Sequence, residues 1–169
     1  TNMNVMYLTI SELEKMDKDT EDKIKSVEFI ITTFNHINEV TNLTAGLNKQ
    51  IFGVAITPNL KPIIKIARYG VNTKFAFLCI SKQFMFKIQA ALENAGLSEF
   101  DITYYNTTDA NEVKEIIKNS DVMIVSPGRY KEVNAANACN KEIIEFSFSL
   151  DEGSVKALKS NIVEMKFKK

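Results

Sequence analysis

The sequence predicts an α/β fold of two similar lobes with parallel sheets, and three features of the chain support that class. Short runs rich in Val, Ile, Phe and Tyr alternate with helical patterns along the 169 residues. Most of these runs are apolar on both faces, as the strands of a covered parallel sheet are. One stretch of sequence also returns later in the chain, where Glu39-Val40 matches Glu132-Val133 at an offset of 93 residues.

The predicted strands are short and rich in β-branched and aromatic residues, which suits strands better than helices. They are Asn4–Leu8, Val27–Thr33, Ile51–Ile56, Lys74–Ile80, Asp101–Tyr105, Asp121–Ser126 and Ile143–Phe148. Helical patterns fill the intervals, and this regular alternation predicts parallel sheets with right-handed crossovers.

Capping residues and breakers mark the ends of the predicted helices. Thr9 and Asp109 each stand three residues before a Glu, as in a capping box. Pro62 fits the first turn of a helix, where its missing N–H is not needed. Gly96 ends the helix that follows Ser81.

The repeat predicts an internal duplication. Val27–Val40 aligns with Ser120–Val133, and Phe52–Pro58 aligns with Ile144–Leu150 at an offset of 92 residues. In each copy an apolar strand, a hydroxyl residue at its end and a helix behind it coincide. We therefore expect two Rossmann-like lobes related by a pseudo-twofold, as in periplasmic binding proteins. The alternative is that any two β-α-β units look alike.

The predicted boundary places the first lobe at residues 1–70 and the second at residues 71–169. The second lobe begins with a strand and helix, Lys74–Gly96, that have no counterpart in the first. If the halves are duplicates, the first lacks a β-α unit, and we expect the natural chain to extend upstream.

Composition excludes several classes of function. The chain has 21 Lys and Arg residues and 21 Asp and Glu residues, so it has no excess of positive charge with which to bind nucleic acid phosphates. Cys79 and Cys139 lack the paired spacing of a zinc site or a disulfide framework, which predicts a reducing cytoplasm. No apolar run is long enough to span a membrane, so we expect no membrane partner.

Candidate ligand-binding residues follow from strand ends, because ligands of open parallel sheets bind at the carboxyl ends of the strands. Most of these ends carry a hydroxyl just before a helix N-terminus, which suits an anionic or polar group. Each hydroxyl has the alternative role of capping its helix. The candidates are Thr33, Phe34, His36, Thr57, Ser81, Ser126, Gly128, Arg129, Tyr130, Ser149 and Asp151.

Two of these candidates occupy equivalent places in the repeat. His36 corresponds to Arg129, and we expect the two to face each other across a cleft between the lobes and hold the ligand. The alternative for His36 is a helix-start residue with no task. We place Arg129 on the rim with Ser126, Thr33 and Thr57, where Arg129→Ala weakens ligand binding and leaves stability nearly unchanged.

Catalysis has little support in the sequence. We find no triad order, no metal-spaced cluster of His, Cys or carboxylates, and no glycine-rich phosphate loop. Asp151 and Glu152 are adjacent, which fits the start of a helix better than a paired acid and base. We therefore predict a binding protein with no catalytic residue, no metal and no cofactor.

Three segments resemble the C-terminal sensory region of GntR-type bacterial transcription regulators. They are Phe29–Val40, Asp121–Val133 and Glu145–Ser154. The resemblance implies an effector site between the lobes that controls a winged helix-turn-helix DNA-binding domain, which is not found in this sequence. It implies an unknown small-molecule effector, DNA contact only through that domain, and a homodimeric full-length regulator. A solute-binding protein of a transporter is the alternative, and a doubly wound enzyme comes third.

Overall fold

The computed structural model describes residues 4–167, and the chain forms two compact units. The first unit runs to Thr57 and takes up the chain again from Leu150, whereas the second is Pro58–Ser149. Within the described residues the helices are α1 Ile10–Lys15, α2 Lys18–Ser26, α3 Ile37–Leu43, α4 Leu60–Ala67, α5 Lys82–Asn94, α6 Ala110–Asn119, α7 Tyr130–Ala136 and α8 Glu152–Phe167. The strands are β1 Phe29–Thr33, β2 Gln50–Val54, β3 Ile56–Pro58, β4 Phe75–Leu78, β5 Ile102–Tyr105, β6 Val122–Val125, β7 Glu142–Glu145 and β8 Phe148–Leu150.

The first unit is built on a parallel pair of strands, β1 and β2, in register from Phe29 opposite Gln50 to Thr33 opposite Val54. Its helices begin where the sequence predicts. The Thr9 N–H donates to Glu12 Oε2 at 2.6 Å and the Glu12 N–H donates to Thr9 Oγ1 at 3.2 Å, so the predicted capping box is confirmed. A small core then forms from one buried side chain each of α1, α2 and α3, namely Leu13, Ile24 and Val40.

The second unit is built on four parallel strands in the order β5-β4-β6-β7. The central strands β4 and β6 are buried at every residue, which confirms the prediction that they are apolar on both faces. Alternate residues point to opposite faces of the sheet. Phe77 and Ile124 thus join the core with α4 and α5, while Leu78 and Val125 join the core with α6 and α7.

Helix ends in the second unit follow the predicted signals. Ser81 Oγ accepts from the Phe84 N–H at 3.2 Å, which caps α5. Gly96 follows this helix at a φ of +77°, the left-handed conformation that glycine adopts at low cost. Asp109 caps α6, but the Glu112 carboxylate bonds the Thr107 hydroxyl, so the second half of the predicted capping box is not formed.

Three predicted strands need correction. Asn4–Leu8 forms no strand, because no neighbouring strand satisfies its backbone and most of its side chains stay exposed. Ile51–Ile56 is two strands, since the N–H of Ala55 donates to Ser154 Oγ at 2.8 Å and its carbonyl accepts from Asp151 N at 2.9 Å. Ile143–Phe148 is likewise divided into β7 and β8.

The boundary between the units differs from the predicted division at residues 1–70 and 71–169. Helix α4 belongs to the second unit, because Ile66 is fully buried in the same core as Phe75 and Phe77. Helix α8 belongs to the first unit, where it packs on β2. The repeated segments do share one local order, a strand, a helix and a parallel strand, in β1-α3-β2 and in β6-α7-β7.

Candidate functional site

The strand order of the second unit reverses at the carboxyl edge of its sheet between β4 and β6, and this edge is called the crevice below. From β4 the chain goes to β5 on one side, and the following strand β6 lies on the other side of β4. At such a reversal the connections leave in opposite directions, and ligands of open α/β sheets bind there. The segment after β4, Cys79–Ser81, and the segment after β6, Ser126–Arg129, are therefore the first place to look for a site.

Backbone contacts bring these two segments together. The Ser126 N–H donates to the carbonyl of Leu78 at 3.0 Å, which extends the pairing of β4 and β6 by one residue. Gly128 has a φ of +89°, and a Cβ placed on it would meet only Ile80 Cδ1, at 4.0 Å. The chain thus turns sharply beside Ile80 and leaves open space where a side chain would project.

Arg129 is the most constrained polar residue of this edge. It is only 4% exposed, which differs from the solvent-facing rim side chain that the sequence predicts. Its Nη1 donates to the carbonyl of Cys79 at 3.3 Å, while Nε and Nη2 donate to the two carboxylate oxygens of Glu132 at 3.1 and 2.7 Å. Two of the five guanidinium N–H groups are left without an acceptor within residues 4–167.

Ser126 carries an unsatisfied hydroxyl at the same edge. The residue is fully buried, and its Oγ has no hydrogen-bond partner in the described part of the chain. A buried hydroxyl without a partner costs about 1–3 kcal/mol. Thr33 Oγ1, at the end of β1 and 93 residues earlier, is the other buried side-chain atom in this condition among residues 4–167. Each of these two atoms lies at the end of a parallel strand, at positions that the sequence alignment of the two segments matches.

Cys79 lies under the crevice as part of the core. Its side chain is buried and its thiol is free. Burial in apolar surroundings raises the pKa of the Cys79 thiol to about 12, and the positive charge of Arg129 offsets this only in part. The sequence-based interpretation of Cys79 as a small buried thiol is confirmed.

The first unit assembles a second group of the predicted residues. His36 Nδ1 lies 2.8 Å from Glu39 Oε2, a pairing at the same spacing as that of Arg129 with Glu132. Phe34 is exposed and, with Asp151, lines an open cavity of about 500 Å³. Thr33 directly precedes Phe34 and points its hydroxyl into the protein.

The remaining candidates have simpler roles. Ser81 caps α5, and Asp151 Oδ1 accepts from the Ser154 N–H at 2.8 Å, so both take the capping role that the sequence left open. Thr57 and Ser149 are exposed, and within residues 4–167 neither makes a side-chain hydrogen bond. Tyr130 begins α7 with an exposed ring.

Sequence reasoning missed the residues that hold Arg129 in place. Glu132 is one helical turn beyond Arg129, and this spacing is the signal that predicts the pair. No local signal identifies the carbonyl of Cys79, since that contact spans 50 residues. Among residues 4–167, no group of three or more His, Cys, Asp or Glu side chains is arranged to hold a metal ion. No helix in that range is both long and apolar enough to cross a membrane.

Comparisons with known proteins find a matching family and a related protein. A family model described as the YmtS Rossmann-like domain matches residues 76–169. An uncharacterized protein in the mutS 5′ region of Clostridium tetanomorphum is 54% identical over 99 residues, which cover 59% of this chain and 99% of that relative. No solved structure matches the chain. The matched residues include the ends of β4 and β6 and the whole of Ser126–Arg129.

Proposed function

This chain belongs to the YmtS Rossmann-like domain family, and we propose that it binds a small anionic molecule in the crevice at the carboxyl ends of β4 and β6. The observation that carries the proposal is Ser126 Oγ, fully buried and without a partner among residues 4–167. We attribute this unsatisfied hydroxyl to a ligand that supplies the missing hydrogen bond.

The groups around Ser126 favour a negative charge. The guanidinium of Arg129 has two N–H groups left to donate, and an Arg fork suits a carboxylate or a phosphate. Helix α5 begins at Lys82, with three residues between it and the end of β4, and spans 13 residues, so its first turn adds free N–H groups and partial positive charge to the same edge. These donors stabilise an anion without any covalent step.

Binding without conversion is the function we assign. A general acid or base requires a pKa near the working pH, and the thiol of Cys79 has its pKa raised to about 12. The guanidinium of Arg129 is a donor of several hydrogen bonds, so it positions a ligand and neutralises its charge. The crevice therefore resembles a recognition site more than a reaction centre.

The test compares two serines that flank β6. Ser126 follows β6 at its carboxyl end, and Ser120 precedes β6 with its Oγ bonded to the carbonyl of Ile117 at 3.2 Å. Inorganic phosphate and succinate are titrated by calorimetry into the wild type, Ser126→Ala and Ser120→Ala. Thermal unfolding of the three proteins is recorded in parallel.

The two variants have opposite expected results. Ser126→Ala should weaken binding of the better anion at least fivefold and leave stability unchanged or raised, because the lost hydroxyl had no partner in the protein. Ser120→Ala should bind normally and lose about 1 kcal/mol of stability. Equal affinity in all three proteins, or no binding of either anion to the wild type, contradicts the proposal.

The role of such binding stays a prediction. We propose that the chain is a cytoplasmic effector sensor for a GntR-type regulator, on the strength of the resemblance of Asp121–Val133 to those sensors. A solute-binding protein is the alternative. The sequence upstream in the natural gene discriminates between them, since a winged-helix segment supports the sensor and a signal peptide supports the solute-binding protein.

We also propose that the two units arose by duplication. The common order of β1-α3-β2 and β6-α7-β7 supports this, as do the unsatisfied hydroxyls of Thr33 and Ser126. An experimental structure tests the proposal by superposing residues 27–40 on residues 120–133. Segments whose strands and helices diverge in direction rule it out.

A further inference from the structure

The open cavity of the first unit lies between β2 and the beginning of α8. It has a volume of about 500 Å³, within the range of small-molecule sites in proteins. Most of its walls are apolar. The main contributors are Phe34, Phe52, Gly53, Ala157 and Leu158.

Gly53 determines how one wall is built. A Cβ at this position would lie 2.5 Å from Phe34 Cδ1 and would also collide with Ile37 Cδ1, so only glycine allows these side chains to lie over the backbone of β2. The ring of Phe34 is thereby held beside the cavity, yet it remains 59% exposed. An exposed aromatic ring packed over a strand backbone is a ready surface for stacking.

Two of the three polar side chains of the walls, those of Ser154 and Asp151, are already engaged within the protein, and Asn161 is the third. Ser154 Oγ accepts from the Ala55 N–H at 2.8 Å, and Asp151 Oδ1 accepts from the Ser154 N–H at 2.8 Å. Asp151 is the charged residue of this lining, and its negative charge disfavours an anion. This site therefore selects against the ligands that suit the crevice of the second unit.

We infer that the first unit binds a small, uncharged and mostly apolar molecule in this cavity, with a ring stacked on Phe34. The inference is independent of the proposed anion site, because each site lies wholly in its own unit.

The experiment uses p-cresol as the probe, and a bulky substitution in α8 blocks the cavity. Ala157 lines the cavity, whereas its neighbour Lys156 is exposed and does not. Ala157→Phe and Lys156→Phe add the same ring to adjacent exposed helix positions, so both variants should fold with nearly unchanged stability. Binding is followed by amide chemical shifts of the whole chain, with benzoate as the anionic counterpart of the probe.

The wild type should bind p-cresol saturably with a Kd on the order of 1 mM, as suits so small a ligand. The shifts should concentrate at Gly53, Ala55 and Leu158. Ala157→Phe should weaken binding at least tenfold, Lys156→Phe should leave it unchanged, and benzoate should bind more weakly than p-cresol.

Three results would overturn the inference: no saturation by about 10 mM p-cresol, equal affinities of both variants, or shifts confined to residues 58–149. Succinate binding in Ala157→Phe separates the two sites. If Ala157→Phe loses p-cresol binding and keeps a normal succinate affinity, the result supports the cavity as a separate site. Loss of succinate binding in Ser126→Ala is evidence about the crevice only.

Discussion

Arg129 is held against Glu132 by two parallel hydrogen bonds, at 3.1 and 2.7 Å, with the arginine side chain 5% exposed and the glutamate side chain 45% exposed. The guanidinium is thus buried at the carboxyl edge of the sheet, while its counter-ion reaches solvent. A carboxylate bound in this way occupies the Arg fork much as an anionic ligand would. The negative charge of Glu132 therefore lies beside the N–H groups that the proposed ligand would use.

Arg129→Ala should lower the free energy of unfolding by about 2 kcal/mol, because it removes charge-assisted hydrogen bonds to Glu132 and the Cys79 carbonyl. This reverses the expectation drawn from sequence, in which a rim arginine contributed little to stability. Urea denaturation measures the change, and Arg68→Ala, at an exposed arginine, serves as the control. A variant as stable as the wild type would show that the buried fork has no net stabilising effect.

Glu132→Gln should strengthen succinate binding by roughly fivefold, since removing an adjacent like charge is worth up to about 1 kcal/mol. The amide oxygen still accepts one bond from Arg129, so the fold should persist. Glu115→Gln, on the exposed face of α6, removes the same charge away from the crevice and should leave the affinity unchanged. Weaker binding in Glu132→Gln would mean that Glu132 positions Arg129 rather than competing with the ligand.

Gly128→Ala tests whether a ligand approaches the backbone of this turn. Gly128 and Gly96 both have positive φ and both have room for a Cβ, so alanine at either should cost about 1 kcal/mol of stability. Gly128→Ala should also weaken anion binding, whereas Gly96→Ala should bind normally. Chemical denaturation and succinate titration of both variants separate the conformational cost from the loss of contact.

Cys79 should resist alkylation while Cys139 reacts. Burial raises the pKa of the Cys79 thiol from 9.0 to about 12, so at pH 8 it has roughly a thousandfold less thiolate than an ordinary thiol. Cys139 is exposed. Iodoacetamide followed by mass spectrometry should give one modification on the native protein and two on the protein in denaturant. Rapid labelling of both cysteines in the native protein would contradict the prediction and show that the core around Cys79 opens.

The same thiol predicts the direction of alkaline destabilisation. The unfolded chain loses the Cys79 proton near pH 9, whereas the folded chain keeps it to about pH 12. The contribution of the buried Cys79 thiol to the free energy of unfolding is therefore fully present below pH 9 and is lost as the pH rises toward 12. Denaturation of Cys79→Ala and the wild type at pH 8 and pH 10.5 should show a steeper decline in the wild type.

The sequence alone determined much of the local structure of this protein. Phe75–Leu78 and Val122–Val125 are apolar at every position, which identifies them as covered central strands. Thr9 and Ser81 begin helices because a side-chain oxygen reaches an N–H three residues on. The 93-residue repeat identified Ser126 and Thr33 as candidate binding residues, since both lie at the ends of apolar strands.

Only the tertiary structure decided which polar groups are buried and what satisfies them. Arg129 bonds a carbonyl 50 residues away, and Ala55 interrupts a strand because Ser154 reaches it across 99 residues. The strand order of the second sheet and the packing of α8 on β2 are likewise long-range pairings. The burial of a polar group and its hydrogen-bond partners depend on neighbours that folding brings together. The spacing of residues along the chain does not identify such long-range neighbours.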